Sequence, residues 1–387
     1  MNDCPRVALI FKTRLEENIT ILNAIARYDR YHEKWSAYVD DMAVAQRDPD
    51  WLFKQSWDGV LCKHSAPDLF QRCLEKGIPC VDLSDDDVIT EGVPKITPDN
   101  VAVGHKGAEH FIERGYQHFA FCGFSNESWS LARQRGFEEG LRLGGHRCSV
   151  YECSYPKISD PEWDLHETAQ IAEWIQTQKH PLCVMACNDL RGLQVLQACR
   201  DSGLQVPEDV AVLGTNNETI RCELSHPQLS SIPLNADFYG REAARILSDM
   251  IAGIKPESMH VLVDPLEVVT RRSTDILAIE NKVIAGSLHI IHERACQGLV
   301  VDDLVREVHV SRSLLERQFR KYLGKSPQAE IRNVQLQKIK QLLSETDYTL
   351  AYIAELTGFE HPEYMSVMFK RTTRLTPKQY RQKFSKV

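Results

Sequence analysis

The rhythm of apolar positions along this chain changes about three quarters of the way through. Up to residue 270 or so, short apolar runs alternate with stretches whose apolar residues recur at helical spacing. The runs predict strands at residues 6–11, 35–39, 58–62, 78–82, 118–122, 182–186 and 210–213. Closing strands are expected at 261–263 and 266–269, with helices between, including 103–114, 132–143, 190–202 and 240–252. Such alternation predicts parallel sheets covered by helices on both faces. We read two lobes of similar topology, joined near residues 124–127 and 230–234, with a cleft between them. That layout suits a hinge-bending binder of small molecules. A plain doubly wound enzyme domain fits the same rhythm.

Beyond residue 276 the strand signals stop. A helix is expected over 277–294, with Ile279, Val283, Ile284, Leu288 and Ile291 in phase. One pattern then occurs twice, first from Val301 to Pro327 and again from Leu350 to Arg381. Each copy is a short amphipathic helix, a tight turn, a longer helix ending on Phe319 or Phe369 plus basic residues, and a stop at proline. A helix, a turn and a second helix with an exposed polar face form the motif that lays its second helix in a DNA major groove. The predicted fold is therefore a two-lobed α/β domain (1–275) followed by an all-α domain with two helix-turn-helix motifs (276–387). Residues 327–343 read as a strut of about 25 Å between the two motifs.

Charge sharpens this division. The chain carries 46 Lys and Arg against 54 Asp and Glu. From residue 281 onward the count is 18 against 11, so this part is near +7 and the remainder near −15. A basic module beside an acidic one suits DNA contact at one end and ligand handling at the other. The 12 cysteines are scattered without a Cys-x-x-Cys pair. The first residues hold no apolar signal region, and no stretch nears the ~18 apolar residues a membrane span needs. A soluble, reduced, cytoplasmic setting is expected. No metalloprotease, nucleophile-elbow, P-loop or dinucleotide motif occurs, so no catalytic residue, metal site or cofactor is assigned. Cys183 and Cys187 read as packing.

On the first reading helix, Ser311 is a candidate N-cap, and Ser313, Glu316, Arg317 and Arg320 lie on the exposed side. An arginine fork matches guanine O6 and N7, and a glutamate accepts from cytosine N4. Glu316 and Arg320 also read as an ordinary surface ion pair four residues apart. On the second helix the equivalent positions hold Pro362, Glu363, Ser366 and Val367, with Lys370 and Arg371 behind. That helix is poor in long donors, so more apolar or phosphate contact is expected from it. Lys325, Arg332, Lys338, Lys340, Lys378, Arg381 and Lys383 are candidates for phosphate contact, or for a solvated face.

The C-terminal tandem resembles the AraC-type regulators over about residues 277–384. The resemblance is carried by Ser311, Leu315, Arg317 and Phe319, by Ile353, Ala354, Gly358, Phe359, Phe369 and Lys370, and by Thr376, Pro377, Tyr380 and Arg381. Val305, Met365 and Arg374 depart from that family's preference for alanine, an aromatic residue and glycine respectively. Residues 6–275 resemble the effector domain of LacI/GalR-type repressors, itself similar to periplasmic sugar-binding proteins. Carriers include Asp58-Gly-Val60, Arg133-Gln-Arg-Gly136-Phe137, Asn188-Asp189, Val206-Pro-Glu-Asp-Val210 and Arg272-Ser-Thr274. The DNA-binding headpiece of that family is absent from the start of this sequence, and a different reader follows at the other end.

This resemblance implies a polyol effector held at the carboxyl ends of the strands. Asp189 is then the residue for sugar hydroxyls, with capping of the helix at 190 as its other reading. Asn188 and Arg191 are its neighbours, and Arg133 is the donor of the same lobe. Asn216 stands where the family usually has aspartate. Trp129 is either a stacking plate or a buried hinge aromatic. From the first lobe Lys12, Thr13, Arg14 and Asp82 are candidates.

These resemblances imply a ligand-responsive transcription factor, an activator of sugar catabolic genes with a pentose effector, D-xylose first. It would act as a homodimer on operator DNA, with RNA polymerase as a further partner and no membrane. A repressor, or a regulator answering another sugar or a nucleoside, remains the alternative. A transport-type binding protein comes after it.

Overall fold

The computed structural model of the chain describes residues 4–32, 35–156, 161–275 and 282–384. These fall into two compact units, Met1–Leu277 and Ala278–Val387. The start expected for the first C-terminal helix, with Ile279, lies outside the described residues. The helix is seen from Lys282 to Arg294.

The first unit contains two sheets. One holds β1 (Arg6–Ile10), β2 (Ser36–Asp40), β3 (Gly59–Cys62), β4 (Cys80–Asp82), β5 (Lys95–Pro98) and β11 (His260–Val263), in the order β11-β5-β4-β3-β1-β2. The other holds β6 (His118–Phe124), β7 (Cys148–Cys153), β8 (Leu182–Ala186), β9 (Val210–Thr215) and β10 (Ser230–Ile232), in the order β10-β9-β8-β6-β7. Every strand pairing is parallel. With helices on both faces, β3, β8 and β9 are buried along their whole length, which is why they read as unbroken apolar runs.

The chain passes between the lobes three times. It leaves the first sheet after β5, returns after β10 through residues 233–235, and leaves again after β11. Past β11, Val269 makes a single antiparallel bridge to Ser231. The join expected at 124–127 is instead the loop from β6 to the Ser128–Leu143 helix, wholly within the second lobe. The strand expected at 266–269 is reduced to that one bridge. The misplaced join traces to β5, whose Lys-Ile-Thr-Pro does not look like a buried strand. Lys95 is 3% exposed yet fully paired: its Nζ bonds Asp82 at 3.1 Å, Ser84 at 2.8 Å, Asp86 at 2.8 Å and the Val88 carbonyl at 2.7 Å. A buried ammonium is tolerable only with such a set of acceptors.

In the second lobe the Asn100–Glu113 and Ser128–Leu143 helices cross at very short range. A Cβ on Gly104 would lie 2.2 Å from the Arg133 carbonyl, and one on Gly136 would lie 2.1 Å from the Val101 carbonyl. The Arg-x-x-Gly-Phe motif thus has a physical reading. Gly136 admits the neighbouring backbone, Phe137 enters the core, and Arg133 faces the boundary between lobes.

The second unit is all helical. The first motif is Val301–Glu307 and Arg312–Leu323, the second is Leu350–Leu356 and Pro362–Thr373, and Pro327–Glu345 links them. Ser311 caps its helix as expected, accepting from the Leu314 N–H, and Thr349 does so for Tyr352. Leu304, Leu315 and Phe319 are buried, while Val305, Val308 and Leu314 are half-buried. Gln335, 2% exposed, ties the unit together, donating to the Ala295 carbonyl at 3.0 Å and the Thr357 carbonyl at 2.9 Å. Gly358 turns the second motif at φ 73°, and a Cβ there would sit 2.8 Å from the Gly298 nitrogen.

Arg374 ends the Pro362–Thr373 helix at φ 64°, where Gly324 ends its counterpart at 66°. A side chain in that left-handed region costs roughly 1–2 kcal/mol, partly offset by the lower entropy of the unfolded chain relative to glycine. Arg374→Gly is therefore expected to stabilise the C-terminal unit by about 0.5–1 kcal/mol. Gly358→Ala should destabilise it by at least about 1–2 kcal/mol, because the clash adds to the strain. Urea unfolding of both variants checks the pair of signs.

Candidate functional site

The loops after β1, β3, β4, β6, β8 and β9 meet between the lobes, at the carboxyl ends of the strands. Arg133 lies at their centre, 2% exposed. Its Nε donates to Asn100 Oδ1 at 2.8 Å. Its Nη1 donates to the Cys187 carbonyl at 2.6 Å and to Asn216 Oδ1 at 3.2 Å. Nη2 makes no hydrogen bond among the described residues, so one arm of the fork is left unbonded there. Burial disfavours the charge on Arg133, and Asp85 from the first lobe opposes that most strongly. Asp85 in turn accepts from Asn100 Nδ2 at 2.8 Å. Burial pushes its carboxyl up, against the charges of Lys63 and Arg133. Trp129 is half-buried with the Arg133 guanidinium 5.0 Å above its ring, and its indole donates to Glu127 at 2.9 Å. It also lines a cavity of about 320 Å³, together with Asp85, Asn100 and Arg135.

Residues 216–219 form the other wall. Asn216 and Asn217 sit in the left-handed region at φ 99° and 52°, strain that tends to collect at working sites. The loop is pinned at each residue. The Asn216 N–H donates to the Ile232 carbonyl at 2.9 Å, and the Asn217 N–H to Ser231 Oγ at 2.9 Å. The Glu218 N–H donates to Asp189 Oδ2 at 2.7 Å, and the Thr219 N–H reaches Glu16 of the first lobe at 2.8 Å.

Asp189 and Arg191 lie deeper than the strand end suggests. Both are 0% exposed. Asp189 accepts from the Glu218 N–H and from Ser231 Oγ at 2.6 Å, and so braces the loop. The cap belongs to Asn188, which accepts from the Arg191 N–H at 2.8 Å. Arg191, two residues beyond Asp189, points into the lobe. There it bonds Glu167 at 3.0 Å, Cys153 at 2.7 Å and Gln194 at 2.7 Å, and lies over the Phe124 ring. Asp82 is likewise taken, by Lys95 and the Ser84 N–H at 2.8 Å.

In the first lobe Thr13 is half-buried and Arg14 exposed at the end of β1. The Lys12 N–H donates to His64 Nε2 at 3.1 Å, which puts the ring proton on Nδ1. Burial, then Lys12 and Lys63, hold His64 neutral with its pKa down to about 4. Lys63 pairs with Glu17 at 3.4 Å. Sequence reasoning missed Asp85, Asn100, Lys63 and His64. Each follows a strand's carboxyl end, the signal that found Asn188, but β5 was not recognised and β4 pointed only to Asp82.

On the first reading helix Ser313, Arg317 and Arg320 are exposed, and Arg317 makes no hydrogen bond or ion pair among the described residues. Glu316 pairs with Arg312 at 3.4 Å, not with Arg320 as one reading had it, and Arg312 also holds Asp302 at 2.8 Å. On the second helix Glu363 and Lys370 are exposed, Pro362 and Ser366 half-buried. Several phosphate candidates are otherwise engaged. Lys325 pairs with Glu330, Arg381 donates to the Tyr348 carbonyl at 2.6 Å, and Lys338 donates to Gln341 at 3.0 Å. Arg332 lies over Phe359 and Tyr364. Lys378 is exposed and Lys340 half-buried, while the Lys383 side chain lies outside the described residues.

Burial raises the Asp189 pKa to about 7, against the bonds from Ser231 and Glu218. A carboxyl raised in the folded state stabilises below its unfolded pKa, and that contribution is lost as pH rises through the folded one. Asp189→Asn keeps an acceptor and cannot ionise. Its stability relative to the original chain should therefore rise by up to ~1.4 kcal/mol per pH unit between pH 5 and 7, and level off above 8. Melting temperatures of both proteins across that range test this. His64 cancels in the comparison.

Two family models match the chain: a periplasmic binding protein-like domain over residues 108–274 and a helix-turn-helix domain over 304–383. The xylose operon regulatory protein of Escherichia coli (strain K12) is 28% identical over 391 residues, covering 99% of this chain and 98% of that one. The protein of that name from Haemophilus influenzae is 26% identical, over 97% and 98%. Among solved structures, the xylose-binding transcription activator xylR matches with a TM-score of 0.79 and 26% identity, over 100% of both chains. None of the described helices is long and apolar enough to cross a membrane. The chain is homologous to the xylose operon regulators and, with a periplasmic-binding-protein-like domain joined to an AraC-type helix-turn-helix domain, is a ligand-responsive transcription factor.

Proposed function

We propose that the effector is D-xylose or a closely related pentose, and that its binding between the lobes regulates transcription of sugar catabolic genes, as an activator. The observation that carries this is Arg133. Three hydrogen bonds fix its guanidinium, one of them to Asn216, with Trp129 under it and Asp85 acting on its charge, while Nη2 makes no hydrogen bond among the described residues. A fixed donor fork, nearby acceptors and an aromatic face suit vicinal hydroxyls and the C–H face of a small sugar. Asn216 offers both an amide donor and an acceptor. Asn188 borders the same loops, while Thr13 and Arg14 supply the first lobe's edge. The full-length similarity to proteins named for xylose supports xylose as that sugar.

The protein acts as a homodimer on operator DNA in the cytoplasm and recruits RNA polymerase. Domain limits of 1–275 and 276–387 describe its sensing and reading parts. By linkage, the effector shifts DNA affinity only by its differential affinity for the two arrangements of the protein.

Calorimetry with a panel of pentoses, hexoses and nucleosides tests the assignment. D-xylose should release heat and raise the melting temperature. Arg133→Ala should abolish both and leave operator binding measurable. Heat with a hexose and none with xylose would replace the effector and keep the regulator.

A second expectation concerns Arg317, exposed and unpaired. Arg317→Ala should cost ~1–3 kcal/mol of specific binding and leave affinity for random DNA nearly intact. Equal losses on both DNAs would make Arg317 a phosphate contact.

A further inference from the structure

The two reading helices are the same scaffold with different outward faces. Both are 12 residues long, and they begin at Arg312 and Pro362, 50 positions apart. Their buried residues correspond at that offset: Leu315 with Met365, and Phe319 with Phe369. Both end on a left-handed residue, Gly324 or Arg374. At about 100° per residue, the position midway between the two buried ones points directly away from the core. In the first helix that position is Arg317. In the second it is Val367, 66% exposed and flanked along the outward line by Glu363 and Arg371, both exposed. A lone surface valine elsewhere would need no explanation. Here it occupies the place where the first helix carries its free arginine. Tyr364, also exposed, is held to one side, its ring under the Arg332 guanidinium at 5.3 Å.

We infer that the second reading helix recognises thymine through Val367, and that one protomer reads two unlike boxes: guanine through Arg317 in one, thymine through Val367 in the other. This rests on the assignment of both helices to the major groove. Of the groups that base pairs present there, the thymine C5-methyl is the apolar one. A branched side chain with no donor or acceptor gains nothing from guanine O6 or cytosine N4, but packs against that methyl. Glu363 and Arg371 on either side set the register by polar contact. The DNA site of one protomer is therefore directional, and its two boxes are not repeats of one sequence.

The test starts from duplexes selected out of random DNA by the full chain. A guanine should be enriched in one box and a thymine in the other. Replacing that thymine by deoxyuridine removes only the methyl group. It should weaken binding by the original chain about fourfold, the worth of one buried methyl. Val367→Ala should bind the thymine site less well and be indifferent to deoxyuridine. Val367→Asn should shift the preferred base at that position toward adenine, whose N6 and N7 an amide pairs with. Neither substitution should change unfolding in urea, because the position is exposed. Indifference of the original chain to deoxyuridine at every enriched thymine would overturn the inference, even with Arg317→Ala still relaxing the guanine preference. If neither Arg317→Ala nor Val367→Ala altered the selected sequences, the assignment of the reading helices themselves would fall.

Discussion

A guanidinium taken out of water must be surrounded by acceptors, and much of the first unit is arranged around meeting that demand for Arg133. Its three partners come from three segments: Asn100 from the first crossing between lobes, the Cys187 carbonyl from the end of β8, and Asn216 from the loop after β9. Leaving any of them unpaired would cost on the order of 1–3 kcal/mol or more for a charged group. The crossing and two loops of the second lobe are thereby held in register with each other. Asp85, reached through Asn100, extends this to the first lobe. The residue that holds the cleft in shape keeps Nη2 without a hydrogen bond among the described residues.

The loop at 216–219 carries this constraint onward. Asn216 faces Arg133, while the Asn217 side chain accepts from Arg271 at 2.8 Å. Arg271 opens the segment Arg271–Thr274, which is pinned to the second lobe. The Ser230 N–H donates to Ser273 Oγ at 2.8 Å, Thr274 bonds Ser230 Oγ at 2.7 Å, and His110 meets Thr274 at 2.9 Å. A loop with two left-handed residues and a partner at each N–H has no slack, so a shift at Asn216 is shared with its neighbours. Glu16 adds a first-lobe carboxylate to the same loop, so movement between the lobes bears on it as well.

The tandem motifs were legible because their signals are local: Ser311 as a cap, Gly358 as a turn, and Phe319 and Phe369 at helical spacing all report on structure within a few residues. The strands of the sheet interiors were legible for a similar reason, since burial on both faces leaves unbroken apolar runs. What failed depends on distant partners. Lys95 makes β5 look polar because its acceptors lie up to 13 residues away. The half-buried edge strand β7 and the Pro161–Gln176 helix beyond it were also not anticipated. The family resemblance and a place beside a strand end gave Asp189 and Arg191 to the ligand, and neither signal reports their burial. Their burial against Ser231 and Glu167 arises from contacts 42 and 24 residues away, beyond the reach of local pattern.

The repeated helical scaffold shows where sequence is constrained and where it is free. Leu315 and Met365, like Phe319 and Phe369, keep apolar bulk because each fills a space fixed by its neighbours. Gly358 keeps its hydrogen because the Gly298 backbone leaves no room for a Cβ. The left-handed helix end is less strict. Nothing lies within 4 Å of a Cβ on Gly324, and at the equivalent place Arg374 accepts the strain. Outward positions obey no packing rule at all, so Ser313 can face Glu363, and Arg317 can face Val367, across the two copies. Packing therefore accounts for the similarity of the copies, and their outward faces differ. A duplicated motif can in this way keep one fold while its two halves come to read different bases.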